Sequence, residues 1–310
     1  MITTVTLNPS IDKAYYLEKP MVPGTVMRVK ETINNAGGKG INVAKNVKLC
    51  GAEVVATGFV GGFNGQYLEY LLAEKGIATS FTAVQAETRS CINVLESQYT
   101  STEFLEAGAA IKASEVEAFL QNFQGLLART QVVTISGSLP AGVPDDIYAR
   151  LIEMTKEAGK QVILDSSGAA FKKGLEAKPT LIKPNEDEIA AYFGLSLETE
   201  EDILFHAKKF LEQGIDYVVV SLGGRGAILI HGQKVYHGIP PKIQPVNTVG
   251  CGDSMVAALA VGLSQEKTPE ECLRYAIAIG TANALSPFTG HFEQEDFDRI
   301  YQEVQVAVLE

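Results

Sequence analysis

Between Gly108 and Gly224 the chain alternates short apolar runs with amphipathic stretches of helical length, and few architectures accept that rhythm. The runs are QVVTISG (131–137), QVILDSSG (161–168), TLIKPN (180–185) and YVVVSLGG (217–224). Helical spacing falls between and around them, over 114–128, 145–158, 169–176, 186–193 and 199–213. Strands that are apolar throughout must be covered on both faces, which specifies a mostly parallel sheet with helices on each side. Upstream, ITTVTL (2–7) predicts a strand stopped by Asn8-Pro9, followed by helix 40–51, strand 53–62 and helix 65–75. Downstream come a hairpin over 226–238, turning at His231-Gly232, and three helices that finish the chain at 252–264, 269–284 and 294–303. The expectation is a single α/β domain over 1–310, with the sheet as the middle of three layers.

Two stretches fit that alternation poorly, 12–35 and 88–107. VMRVKETI (26–33) and SCINVLE (90–96) alternate, and FTAV and TEFLEAG are further short strand candidates. They predict a separate small sheet, a lid. Each alternating strand has an apolar face with no helix nearby to cover it. The same sheet from a second copy would cover it, so a homodimer through the lids is expected.

Composition excludes several classes. A formal net charge of -11 argues against nucleic acid or an anionic membrane held by bulk charge. A local basic pocket for a small phosphorylated ligand is compatible with it. The four cysteines, Cys50, Cys91, Cys251 and Cys272, are scattered without a CxxC pair, so a disulfide framework or zinc site is not expected, and a reducing cytoplasm is. The N-terminus lacks the order of a signal peptide. No apolar run approaches the ~20 residues of a membrane span. No G-x-x-x-x-G-K-[ST] loop, no G-x-G-x-x-G between strand and helix, and no H-E-x-x-H occurs.

Ligands of open parallel sheets bind beyond the carboxyl ends of the strands. Here those ends carry Asn8, Gly61-Gly62, Ser136-Gly137-Ser138, Asp165-Ser166-Ser167, Lys183-Pro184-Asn185 and Ser221-Leu222-Gly223-Gly224. Each is an ordinary turn residue taken singly; on one edge together they point to a nucleotide or sugar cleft. AGGKGINVA (36–44) sets glycines and Lys39 before a helix, which fits either an anion seat or a tight turn. In KPNEDEIAAYFG (183–194), Asn185 and Glu188 have capping-box spacing, and the same pair could also face the phosphates and Mg²⁺ of a nucleotide.

NTVGCGDSMVAALAVGL (247–263) opens a helix that is apolar on nearly every face and therefore buried. Gly250 and Gly252 expose backbone N–H groups at its entrance, where the helix dipole favours an anion. Asp253 in the first turn is either a helix-end stabiliser or a base. Beside an anion hole, a carboxylate suits proton removal from an alcohol while N–H groups steady a transferring phosphoryl group.

In order, NPSID, AGGKGINVA, ETRSCINV, SGSLPAGVP, LDSSG, LIKPNEDE, VVVSLGGRGA and NTVGCGDS resemble the motifs of the PfkB/ribokinase family of sugar kinases from end to end. Within it the chain is similar to the phosphosugar branch. The resemblance implies a ribokinase-like fold with a small β-sheet lid, ATP as phosphate donor with Mg²⁺, and a ketohexose phosphate as acceptor. It implies Asp253 as base, with Gly250, Cys251 and Gly252 as its anion hole. Asp12, Gly38, Lys39 and Asn42 would contact the sugar. Arg89 and Ser138 would serve the phosphosugar, with Arg28 reaching in from a partner subunit's lid. Lys183, Asn185, Glu188, Ser221, Gly223, Gly226 and Thr248 would serve the nucleotide, with Glu188 meeting Mg²⁺ through water. Cys251 and Gly224 stand where alanine is usual. TRSCI leans towards tagatose 6-phosphate or fructose 6-phosphate over fructose 1-phosphate, while the following NV leans the other way. A kinase of unphosphorylated sugars or nucleosides is the alternative, but it has no need of Arg28, Lys39 and Arg89. A catalytically silent sugar-phosphate sensor would not need an intact Asp253. A dinucleotide-dependent oxidoreductase lacks its fingerprint.

Overall fold

The computed structural model describes residues 1–96 and 101–309. Strand β1 (Ile2–Thr6) lies inside an 11-stranded sheet, between β4 (Val54–Gly61) and β9 (Val132–Ser136), parallel to both. Beyond β9 run β10 (Gln161–Asp165), β11 (Leu181–Ile182) and β12 (Tyr217–Ser221), all parallel. The hairpin β13 (Ala227–His231) and β14 (Lys234–Ile239) then adds antiparallel, and β15 (Gln305–Val308) pairs antiparallel with β14 at the edge. On the other side, β5 (Ala78–Thr79) and β6 (Thr82–Val84) each pair with β4.

Alternation along the buried strands builds two cores. Ile2, Val132, Ile163 and Val219 face one side; Val5, Val133, Leu164 and Val220 face the other. The first side is covered by α1 (Lys39–Leu49), α2 (Gly62–Glu74), α8 (Cys251–Ser264), α9 (Pro269–Leu285) and α10 (Gln294–Glu303). The second is covered by α3 (Ala113–Leu127), α4 (Ile147–Glu157), α5 (Gly168–Glu176), α6 (Glu186–Phe193) and α7 (Glu200–Glu212). Helix α8 is buried from Asp253 to Leu263, packed between α1 and α9, as its lack of a polar face requires.

The second sheet has the order β3-β2-β7-β8, from β2 (Ser10–Tyr16), β3 (Glu31–Gly37), β7 (Arg89–Leu95) and β8 (Ser101–Leu105). Its register sets Asp12 opposite Asn35 and Cys91. Positions 97–100 of the predicted lid segment 88–107 lie outside the described residues.

Several expectations change. The strand predicted over 26–33 begins only at Glu31, because Val26 is 94% exposed and the alternation before it has nothing to bury against. Arg28 therefore sits in an exposed loop. The small sheet is not without a helix: α2 packs on β2 and β3 and joins Leu68 and Leu72 to Ile11 and Ala36. TLIKPN keeps a strand of only two residues, Leu181–Ile182, and then, past Pro184, which has no N–H to give, a single bridge from Asn185 to Ser221. YVVVSLGG ends at Ser221 and tightens into a 3₁₀ turn, Gly223–Arg225. The chain also ends on β15 rather than on its last helix. No helix among the described residues is long and apolar enough to cross a membrane.

Candidate active site

A cleft of about 2040 Å³ opens at the carboxyl ends of the strands, between the large sheet and the small one. It is roughly twice the upper bound of about 1,000 Å³ for a pocket holding one small ligand, so it has room for two. One wall is the entrance to α8. Gly250 takes φ 83°, and a Cβ there would lie 2.8 Å from Thr289 Cγ2, so the turn needs glycine twice over. Cys251 N–H, expected to form the anion hole with Gly250 and Gly252, instead bonds Thr248 O at 3.4 Å, and Ser254 N–H bonds Gly250 O at 2.9 Å. The N–H groups of Gly252 and Asp253 find no acceptor among the described residues and remain available to a ligand.

Asp253 is 6% exposed, and its Oδ2 accepts a 2.9 Å hydrogen bond from Asn42 Nδ2 on α1. Burial, reinforced by nearby Asp165, pushes its carboxyl up to about 6; the Asn42 bond, Lys39 and Lys183 oppose that rise. A carboxyl titrating near there is ionised at neutral pH and still basic enough to take a proton. Asp165 ends β10 with both oxygens facing lysines, Lys183 Nζ at 3.4 Å and Lys39 Nζ at 3.8 Å. Lys183 is buried, whereas the Lys39 side chain is 44% exposed and reaches the cleft. The Asp165 charge raises the Lys39 pKa, against the pull of burial, so this ammonium stays charged. Asp165 Oδ2 itself has no hydrogen-bond partner among the described residues.

The glycines of AGGKG have a packing reason. A Cβ on Gly38 would meet Thr6 Cγ2 at 2.9 Å, one on Gly40 would meet Val5 O at 2.6 Å, and one on Gly37 would collide with the Asp12 carboxylate. The tight-turn reading therefore holds, and it also presents Gly38, Lys39 and Asn42 to the cleft. Asp12 accepts a 2.6 Å hydrogen bond from Ser10 Oγ, and burial raises its pKa. Arg89 opens β7 and lines the cleft, but its Nε and Nη2 donate to Asn8 O (3.2 and 3.0 Å) and its Nη1 to Glu106 O (2.8 Å). Ser138 lines a small adjoining pocket of about 190 Å³, shared with Gly38, Lys39 and Arg89. Arg28 lines neither cavity of its own chain.

On the opposite side, Lys183, Asn185, Glu188, Ser221, Gly223 and Gly226 line the cleft, with Thr248, Cys251 and Gly252 beyond them. The capping box is real: Asn185 Oδ1 accepts from Glu188 N at 2.7 Å, and Glu188 Oε2 accepts from Asn185 N at 3.0 Å. Among the described residues no cluster of three His, Cys, Asp or Glu could hold a metal. Mg²⁺ usually rides on nucleotide phosphates with one or two carboxylates in support. Glu188, at the cleft wall with one oxygen outside the cap bond, fits that use.

Sequence reasoning missed the wall formed by α9, where Ile277, Gly280, Thr281 and Ala284 line the cleft at helical spacing. It also missed Asn283, fully buried in the same helix. Asn283 Oδ1 accepts from Ser254 Oγ (3.0 Å), Gly290 N (3.1 Å) and His291 N (3.2 Å), and its Nδ2 donates to Val249 O (3.2 Å). One amide thus ties the segments on both sides of the α8 entrance. The available signal was a lone asparagine inside an apolar helix.

A doubly covered parallel sheet whose cleft combines lysines with an open helix N-terminus belongs to the class of folds built to handle phosphorylated ligands. The chain belongs to the pfkB family of carbohydrate kinases, whose profile matches residues 5–295. It is 40% identical over 309 residues to a tagatose-6-phosphate kinase of Staphylococcus epidermidis, covering 99% of each chain. It is also similar to phosphofructokinase-2 from Escherichia coli. The complex of that enzyme with fructose-6-phosphate superposes with a TM-score of 0.86 at 29% identity. Its tetrameric inhibited form superposes at 0.89 and 31%; both comparisons cover 97% of this chain and 98% of the other.

Proposed function

We propose that the protein transfers the γ-phosphoryl group of ATP to a hydroxyl of a ketohexose phosphate, tagatose 6-phosphate or fructose 6-phosphate ahead of fructose 1-phosphate, giving the bisphosphate. The observation that carries this reading is Asp253, a buried carboxylate beside unpaired helix N–H groups and within the field of two lysines. Oδ2 is occupied by Asn42, which leaves Oδ1 to accept the proton of the acceptor hydroxyl. As the O–H bond breaks, the oxygen bonds to the γ-phosphorus and the bond from phosphorus to the ADP oxygen breaks. The N–H groups of Gly252 and Asp253, with Lys39, offset the charge on the moving phosphoryl group. Glu188 would support Mg²⁺ arriving with the nucleotide, and the ion would supply further charge neutralisation when bound. The α9 wall and the turn after β12 form the nucleotide side; Asp12 and Asn42 face the sugar.

Arg89 and the small pocket beside it serve the phosphate the substrate already carries. Three Arg89 N–H groups hold backbone carbonyls, and two remain to bond an anion. Arg89→Ala is expected to raise KM for the phosphosugar by about 10- to 100-fold, the worth of a charge-assisted contact of ~1.5–3 kcal/mol. KM for ATP should stay within a few fold. Steady-state kinetics in both substrates checks this; an effect confined to the ATP KM would contradict it.

The exposed part of the small sheet supports a homodimeric assembly. Phe104 and Leu105 of β8 are 53% and 65% exposed, and α2 covers only the β2–β3 part of the back. A homodimer through these sheets would cover the rest and carry Arg28 of one subunit towards the other's sugar phosphate. Mixing Asp253→Asn and Arg28→Ala chains should then restore activity, since each hybrid holds one intact site. Absence of recovery despite demonstrated subunit exchange would contradict sharing of the site.

A further inference from the structure

We propose that Lys45 is a positioning residue of this site: its ammonium fixes the amide of Asn42 with the NH₂ towards Asp253. The inference rests on the kinase reading above. Lys45 lies on α1, one turn beyond Asn42, and is 6% exposed although it lines the cleft floor. A helix lysine ordinarily extends its stem to carry the charge into water. Lys45 does the reverse. Its Nζ donates to Asn42 Oδ1 at 3.3 Å, a neutral acceptor and its one hydrogen-bond partner among the described residues.

A buried ammonium with a single neutral acceptor is costly unless carboxylates face it. Here they come from two other elements, Asp12 on β2 and Asp253 on α8. Lys75, at the end of α2, opposes them. Arg89 of β7 and Glu103 of β8 act in turn on Asp12, while Asp165, Lys39 and Lys183 act on Asp253. Burial draws the ammonium down to about 8, so it remains mostly charged at neutral pH.

The consequence lies in the amide. An asparagine side chain can turn over in place, exchanging its oxygen and its NH₂. Asn42 Nδ2 donates to Asp253 Oδ2 at 2.9 Å, and Asn46 Nδ2 bonds the Asn42 carbonyl at 3.0 Å and so steadies the local backbone. Among the described residues, only Lys45 distinguishes the two ends of the amide from the side away from Asp253, because an ammonium demands the oxygen. Without it, the flipped amide would set Oδ1 against the carboxylate and favour a protonated Asp253. For packing alone, methionine would do at this position.

Lys45→Met, Lys45→Gln and Lys45→Arg, each alone and with Asn42→Ala, test this by steady-state kinetics from pH 5 to 9, with thermal unfolding as the fold check. Lys45→Met should lower kcat/KM for the phosphosugar on the order of 10²-fold and move the acid limb of its pH profile upward by about one unit, with KM for ATP within about threefold. Lys45→Arg should restore the wild-type limb. Lys45→Gln keeps a donor without the charge, so its limb should move while its loss of kcat stays smaller; it carries the comparison if the Met variant does not accumulate. Combined with Asn42→Ala, the Met exchange should cost far less than the product of the two losses. A folded neutral variant with the wild-type pH limb, or losses that simply multiply, would overturn the proposal. Absence of turnover by the wild type would instead defeat the kinase reading itself.

Discussion

Asp253→Asn is expected to lower kcat on the order of 10²-fold or more, leave ATP binding in place and make the folded protein more stable at pH 7. The first effect is what loss of the general base proposed above would bring, with no neighbour to replace it. In the wild type the same base gives the pH profile its sign: activity should fall as pH drops through about 6, where Asp253 takes up a proton. The second effect follows from burial. The carboxyl is held at about 6 against an ordinary 3.8, so the folded chain binds this proton more tightly than the unfolded one. The stability it contributes is full below about 3.8 and lost as pH rises through about 6. At pH 7 the native state carries a cost on the order of 3 kcal/mol, which a neutral amide removes. Urea unfolding at pH 7 should show the variant ahead, and the gain should shrink towards pH 4. Activity within a few fold of wild type would remove Asp253 from the chemistry.

Asn283→Ala is expected to damage both stability and turnover. The substitution leaves the N–H groups of Gly290 and His291 and the Val249 carbonyl without their shared partner, while the Ser254 hydroxyl keeps its 2.8 Å bond to Gly250 O. Buried polar groups left unpaired cost about 1–3 kcal/mol each, and partial relaxation should bring the total to roughly 2–5 kcal/mol. The entrance of α8 then loses its tie to Gly290 and His291, and kcat should fall at least tenfold even below the new melting point. Chemical denaturation with kinetics at low temperature checks both; a variant of wild-type stability and rate would show that the tie is dispensable.

What the sequence made legible had short-range causes. Strands apolar at consecutive positions specify a doubly covered sheet, and a Gly-Cys-Gly-Asp entrance to an apolar helix marks Asp253. The Asn185–Glu188 cap is visible for the same reason, three residues apart. What stayed hidden depends on partners far along the chain. Asp165 reads as a strand end until the fold sets Lys39 and Lys183 on its two oxygens. Lys45 is an unmarked residue of the GINVAKNVKLCG helix until the fold buries it beside the Asn42 amide. The strand start at Glu31 and the edge strand β15 were missed because neither segment is deeply buried: Val29 is 39% exposed and Val308 56%. Partial burial blurs the period on which such readings depend.

The most direct test is to incubate the purified protein with γ-labelled ATP, Mg²⁺ and each of tagatose 6-phosphate, fructose 6-phosphate, fructose 1-phosphate and the unphosphorylated ketoses, and to follow the label. The account predicts that it moves to a ketohexose bisphosphate with wild-type protein, fastest with one of the two 6-phosphates, and barely at all with Asp253→Asn. Label that stays in ATP, appears only as inorganic phosphate, or moves faster to a ketose carrying no phosphate would contradict it.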